Sequence, residues 1–243
     1  MHSRKPALVL VPGMMCDDRL WRRQVSALRA SCDTILVAEL RGATTIAALA
    51  DRILAVAPPR FAVAGLSMGG IVVFEMWRRA ADRITHVALL DTNPSAETSE
   101  RQAQRGPEIQ AALTGHLREM MVASMKPLYL ARAHRSNPAL LDSILAMALD
   151  LGPQVFRDQS LALRDRPDSR TTLPTIDCPT LVLCGREDTL CPIEYHMRMA
   201  ETIPHADLVV LADCGHLSPL EQSEAVNDEL ARLLARSAHG GLS

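Results

Sequence analysis

The sequence predicts an α/β fold, with a mostly parallel sheet of about six strands, helices on both faces and one helical insertion. Three observations predict it. Six short apolar runs have the length of strands, at residues 7–11, 35–37, 61–64, 87–90, 180–184 and 208–211. Helical patterns separate most of them, and strand–helix alternation on wholly apolar strands is the pattern of a parallel sheet covered on both faces. Between residues 94 and 174 no convincing strand occurs, so the alternation is interrupted once.

Taken in order, Ala7-Leu8-Val9-Leu10-Val11 is stopped by Pro12-Gly13, as suits a strand buried on both faces. Asp17 or Asp18 then caps a helix carrying Leu20, Trp21, Val25 and Leu28 at helical spacing. After the second strand, Thr45 opens a helix with Ile46, Leu49, Ile53 and Leu54 on one face, closed by Pro58-Pro59. The third strand runs into a helix whose body is residues 71–77, and the fourth ends at Asp91. Three helical stretches follow, at about residues 107–125, 138–151 and 153–163. Asn137-Pro138 is a strong start signal, a capping side chain before a proline at the first helical position. The last two strands are followed by helices at residues 193–203 and 220–234, and the tail from Ser237 is expected to fray. The domain reading is therefore a core of residues 1–93 and 175–243, with residues 94–174 inserted.

Composition narrows the function. At 243 residues, the chain is long enough for one large domain or two small ones. Hydrophobic residues make up 48% and charged residues 22%, which excludes wholesale disorder. A net charge of −2 and only 3% aromatics give no support to nucleic-acid or anionic-membrane binding. The six cysteines, Cys16, Cys32, Cys178, Cys184, Cys191 and Cys214, form no C-x-x-C pair, which argues against a zinc knuckle or redox motif. The apolar start is broken by Pro12-Gly13 and Asp17-Asp18, unlike a signal peptide, and no stretch approaches the roughly 20 apolar residues of a membrane span. A cytoplasmic protein is the expectation.

The sharpest motif is Gly65-Leu66-Ser67-Met68-Gly69, between an apolar strand and an amphipathic helix. A serine on such a strand-to-helix turn has its hydroxyl pushed clear of the backbone, and the crowding of the turn calls for glycine two residues to either side. Serine is a weak nucleophile without a base. Among eight histidines, His216 alone lies in a loop after a strand at the same sheet edge as Ser67. His86 reads as a satisfied side chain at a strand. His116 and His134 fall in the insertion, His196 inside a helix, His205 before a strand, and His2 and His239 near the termini. The base needs a carboxylate to orient it. Asp188, after the fifth strand, is the first choice and Asp91 the competitor; Glu187 and Asp213 rank lower. The amides of Met68 and Met14 are the candidate oxyanion donors.

With these residues in view, the chain resembles the α/β-hydrolases. The resemblance rests on Pro12-Gly13 with Leu20-Trp21, the elbow around Ser67, Leu89-Leu90-Asp91, residues 179–185 with Asp188 and Pro192, and Gly215-His216. It is similar in style to the small members with a helical cap, enol-lactonases and carboxylesterases. That implies a cap over the active site, and neither metal nor cofactor. Many relatives carry His-Gly where this chain has Pro12-Gly13, and the usual two strands before Ala7 are missing, so the sheet is expected to be shortened.

The expected activity is a serine hydrolase cleaving a small carboxylic ester or lactone through an acyl-enzyme, with a small-molecule substrate as partner. The same triad also serves thioester hydrolysis, acyl transfer or C–C cleavage, and the fold also hosts non-catalytic ligand receptors. Met14, Met15, Met68, Met120, Met121, Met125 and Met147 are candidates for an apolar pocket, or else for helix packing. Arg101, Arg105, Arg118, Arg132 and Arg135 read first as solvated helix faces, and second as holders of a substrate carboxylate. Cys16, Cys191 and Cys214 are placed in loops at the catalytic edge, without a catalytic role.

Overall fold

The computed structural model describes residues 5–237, with the backbone alone for residues 124–127. Six strands form one sheet: β1 (Ala7–Val11), β2 (Thr34–Val37), β3 (Phe61–Leu66), β4 (Ile84–Leu90), β5 (Thr180–Gly185) and β6 (Ala206–Leu211). Every pairing is parallel, in the order β2-β1-β3-β4-β5-β6. The chain steps from β1 to one side for β2 and returns to the other for β3. The loops leaving β1 and β3 therefore diverge, and such a switch point opens a crevice at the carboxyl edge of the sheet.

Strand residues divide by parity between two cores. Val9, Val11, Val63, Val87, Leu89 and Val182 face one side, covered by α2 (Ile46–Val56), α3 (Met68–Ala80) and α8 (Ile193–Thr202). Leu8, Leu10, Ala62, Ala64, Ala88, Leu90, Leu181 and Leu183 face the other, against α1 (Arg22–Leu28) and α10 (Ser223–Ala235). Each large apolar side chain buried this way contributes about 1.5–3 kcal/mol, which is why both strand faces must be apolar. Thr45 caps α2 by accepting from the Ala48 amide at 3.2 Å, and Asp17 caps the short turn Asp18–Trp21 by accepting from Arg19.

Between β4 and β5 lie α4 (Ser99–Ala111), α5 (Leu117–Met120), α6 (Lys126–Tyr129) and α7 (Pro138–Arg164). A third apolar cluster of Met15, Ala112, Leu117, Met121, Leu145, Ala148 and Phe156 ties these helices to the loop after β1.

Three helical boundaries differ from the sequence reading. The stretch at 107–125 is not one helix, because Thr114 and Gly115 (φ +98°) leave helical geometry between α4 and α5. The first inserted helix begins at Ser99, not near Pro107. Thr98 accepts from the Arg101 amide at 3.2 Å, and this cap outweighs the proline, which sits inside the helix. The final helix is split, because Gln222 leaves helical geometry (φ −131°, ψ 51°) between α9 (Ser218–Glu221) and α10.

α7 is capped by Asn137, whose Oδ1 accepts from the Leu140 amide at 3.2 Å. By length and composition alone it could cross a membrane. It is broken, however, at Gly152-Pro153, where Gly152 has φ +78°, so it is two helices end to end, as the sequence suggested. Its Ile144, Met147, Ala148 and Phe156 are buried in the protein.

Candidate active site

Ser67 is the single residue between β3 and α3, with φ 53° and ψ −116°. A non-glycine residue at positive φ is strained, and here the surroundings impose it. A Cβ on Gly65 would lie 2.5 Å from the Gly69 backbone, and one on Gly69 would lie 2.2 Å from the Val11 carbonyl oxygen. The turn is therefore closed by backbone on backbone, and the serine side chain is left facing a cavity of about 840 Å³.

His216 lies in the loop between β6 and α9. Its Nε2 accepts from Ser67 Oγ at 2.8 Å, and its Nδ1 donates to Asp188 Oδ2 at 2.8 Å. Asp188 follows β5, and its other oxygen accepts from the Leu190 and Cys191 amides at 2.8 and 3.0 Å, which fixes the carboxylate. Burial pushes the His216 pKa down, but the Asp188 charge and hydrogen bond outweigh it, and the net shift is upward.

Asp91 does not meet His216. It accepts from the Gly185 amide at 2.9 Å and from Ser218 Oγ at 2.5 Å, linking the ends of β4, β5 and the His216 loop from behind. Burial, followed by the nearby Asp188 charge, raises its pKa well above the usual carboxylate range. Glu187 accepts instead from the Arg132 amide, and Asp213 is exposed.

Met14 and Met68 both line the cavity, and neither backbone amide has an acceptor among the described residues. Met120 lines it as well, whereas Met15, Met121 and Met147 are packed in apolar clusters. The Met125 side chain, His2 and His239 lie outside what the structure describes. Of the cysteines placed at this edge, Cys16 and Cys191 line the cavity and Cys214 does not. Burial pushes the Cys16 thiol up to about 12 and raises Cys191 too, so both stay protonated. Ligand atoms of Asp188, Cys191 and His216 lie within 4.8 Å of one another. A cation there would need the Cys191 thiolate and would compete for the Asp188–His216 bond, so the group fits a metal poorly. Arg118, Arg132 and Arg135 are exposed, while Arg101 and Arg105 line the cavity.

Four supporting residues escaped the sequence reading. Gln159 of α7 accepts from the Met15 amide at 2.8 Å and donates to the Leu40 carbonyl at 2.7 Å, pinning the loop that carries Met14. Thr92 donates to the Ser67 carbonyl at 2.7 Å, and its own amide donates to His196 Nε2 at 3.1 Å. His196 can accept only while neutral, and burial holds its pKa down to about 4. Glu221 accepts from the amides of Ala131, Gly215 and Leu217, binding the inserted segment to the His216 loop. Their signal in the sequence is weak, because each acts on at least one backbone group far away along the chain. His86, by contrast, is buried in β4 and bonded to the Arg236 carbonyl at 2.9 Å, as expected.

Residues 8–229 match the model of the alpha/beta hydrolase family. The chain belongs to that family. It is 28% identical to a pimeloyl-[acyl-carrier protein] methyl ester esterase from Vibrio atlanticus, with 95% of each chain covered. Among solved structures it superposes on a thermophilic esterase from Thermogutta terrifontis with a TM-score of 0.86 and 28% identity, covering 96% of this chain and 90% of that one. It also superposes on the enol-lactonase from Burkholderia xenovorans LB400 with a TM-score of 0.85 and 25% identity, covering 97% and 93%. The six-stranded parallel sheet with its inserted helices is thus the α/β-hydrolase fold.

Proposed function

We propose that this protein is a serine hydrolase that cleaves a small carboxylic ester or lactone through an acyl-enzyme. The observation that carries the reading is the continuous relay Ser67–His216–Asp188, joined by two hydrogen bonds of 2.8 Å. The relatives named above, two esterases and an enol-lactonase, support the bond type. The Nδ1–H bond to Asp188 fixes the tautomer, so Nε2 is free to take the serine proton. Ser67 Oγ then attacks the carbonyl carbon, and the oxyanion is held by the amides of Met14 and Met68. His216 returns its proton to the departing alcohol oxygen. Water activated by the same nitrogen hydrolyses the acyl-enzyme. The helices of residues 94–174 serve in this reading as the cap that shapes the cavity.

The test is labelling with a fluorophosphonate probe read by intact mass. One adduct on the wild type, absent from Ser67→Ala and His216→Ala, is expected, together with turnover of p-nitrophenyl esters. No adduct and no turnover on a folded protein would overturn the reading and favour a ligand receptor.

A pH profile follows from the His216 environment. The base must be neutral, so kcat/KM should fall as pH drops through a His216 pKa above the ordinary histidine value of about 6.5. Stability runs the opposite way for this group. Because the folded pKa is raised, its contribution is complete below about 6.5 and is lost as pH rises through the folded value. An acid limb of kcat/KM centred below about 6 would contradict the geometry.

A further inference from the structure

One wall of the cavity holds more guanidinium than carboxylate. Arg101, Arg105 and Arg166 line it with Glu97 and Glu108. Arg101 is matched by Glu108 in a two-bond fork, at 2.6 and 2.9 Å. The other two guanidiniums share a single carboxylate. Arg105 donates to Glu97 Oε2 from Nη2 at 2.7 Å and from Nε at 3.2 Å, while Arg166 Nη1 stands 3.3 Å from Glu97 Oε1. The side chains of Arg105, Glu97 and Arg166 are 6%, 7% and 9% exposed, so this excess charge is withdrawn from water.

The donors are unequally satisfied. Arg166 Nε donates to the Ser95 carbonyl at 2.8 Å, and its Nη2 reaches Asn93 Oδ1 at 3.4 Å. Arg105 Nη1 finds only the thioether sulfur of Met14, at 3.7 Å, and no oxygen among the described residues. Sulfur is a weak acceptor, and a buried charged donor without an oxygen is costly. Burial and the like charge of Arg101 push the Arg105 pKa below its ordinary value, as expected for a cation short of anions. Met14 joins this wall to the reaction centre, since its side chain touches Arg105 and its amide is one of the two oxyanion donors proposed above.

We propose that Arg105, with Arg166 behind the shared Glu97, forms an anion subsite for a free carboxylate of the substrate. The preferred ester or lactone then carries a second, ionised carboxylate group beside its scissile bond. A planar carboxylate offers acceptors matched to a guanidinium edge. This deepens the reading of Ser67 as an ester-cleaving nucleophile and rests on it. Sequence alone ranked Arg105 with the solvated arginines and left out Arg166, because neither burial nor the sharing of Glu97 is visible in one dimension.

The test compares kcat/KM for methyl half-esters of dicarboxylic acids, and for acetyl esters of ω-hydroxy acids, against the carboxamides of equal length. At the best chain length the anion should be preferred by about 10- to 100-fold, the range expected of one charge-assisted hydrogen-bonded contact. Arg105→Gln should reduce the preference to about threefold or less, and Arg105→Lys, which keeps the charge Glu97 needs, should retain an intermediate preference. Free dicarboxylate should also raise the melting temperature of Ser67→Ala protein, but not that of protein carrying Arg105→Gln as well. Equal kcat/KM for charged and neutral substrates at every length, in protein whose Ser67 accepts the probe, would overturn the subsite and leave the esterase reading intact. Absence of both labelling and turnover would overturn the esterase reading instead. The dicarboxylate thermal shift would then judge the subsite alone, its absence from Ser67→Ala protein overturning it.

Discussion

Asp188→Asn should lower kcat/KM by about 10³–10⁴ without unfolding the protein, whereas Asp91→Asn should change it by less than about tenfold. The two carboxylates are close enough to influence one another, yet their partners differ. Asp188 Oδ2 receives the Nδ1–H of His216, and an asparagine there would either present an N–H to that N–H or flip the ring into the wrong tautomer. The buried loop would still be held, because the remaining oxygen can accept from the Leu190 and Cys191 amides. Asp91 is already biased toward its protonated form by burial and by the Asp188 charge. Asparagine keeps the acceptor for the Gly185 amide and supplies a donor toward Ser218 Oγ, whose hydroxyl can turn to accept, so that only the long 3.4 Å bond from the Ser218 amide is lost. The measurement is kcat/KM on a p-nitrophenyl ester, paired with thermal denaturation of both variants. Equal losses in the two variants would mean that the pair works as one unit and that Asp188 is not the sole orienting acid.

The fold was legible because its strands are short, apolar and bounded by turn residues, which is what burial on both faces requires. Asn137 and Thr45 announced their helices through capping side chains that act within three residues. Ser67, His216 and Asp188 were legible for a related reason: each sits just past a strand, and a parallel sheet gathers all such positions at one edge. What escaped is what depends on distance across the fold. Gln159 lies 144 residues from the amide it fixes, and Glu221 lies 90 from Ala131. His196 was set aside as a helix residue, yet the helix face it occupies points its ring at the Thr92 amide beneath the elbow. The start of α4 was misplaced because a proline at position 107 reads as a first-turn residue, while the Thr98 cap is an ordinary threonine until its partner amide is seen.

Gly69→Ala is the second large effect, and it tests the elbow as a mechanical device. The new methyl group would stand 2.2 Å from the Val11 carbonyl oxygen, 2.7 Å from that of Pro12 and 2.8 Å from the Val11 carbonyl carbon. All three are backbone atoms, so no side-chain rotation relieves the contact. α3 must move away from the end of β1 by about 1 Å to restore ordinary separations, and overpacking of this kind costs roughly 3 kcal/mol. For a chain of this size that corresponds to a fall of about 10 °C in melting temperature. The movement falls where the chemistry is least tolerant, because Val11 pairs with Gly65 and leads directly to Met14. Separating the Met14 and Met68 amides would remove one of the two oxyanion donors proposed above, so kcat should drop by about 10²–10³ even in the molecules that remain folded. Gly106→Ala supplies the contrast. Gly106 lies inside α4 with nothing within 4 Å of an added methyl group, and there alanine should stabilise by about 0.5–1 kcal/mol through helix propensity alone. Wild-type melting temperature and kcat in Gly69→Ala would mean that β1 and α3 do not meet as closely as the geometry requires, and the assignment of Met14 as an oxyanion donor would fall with it.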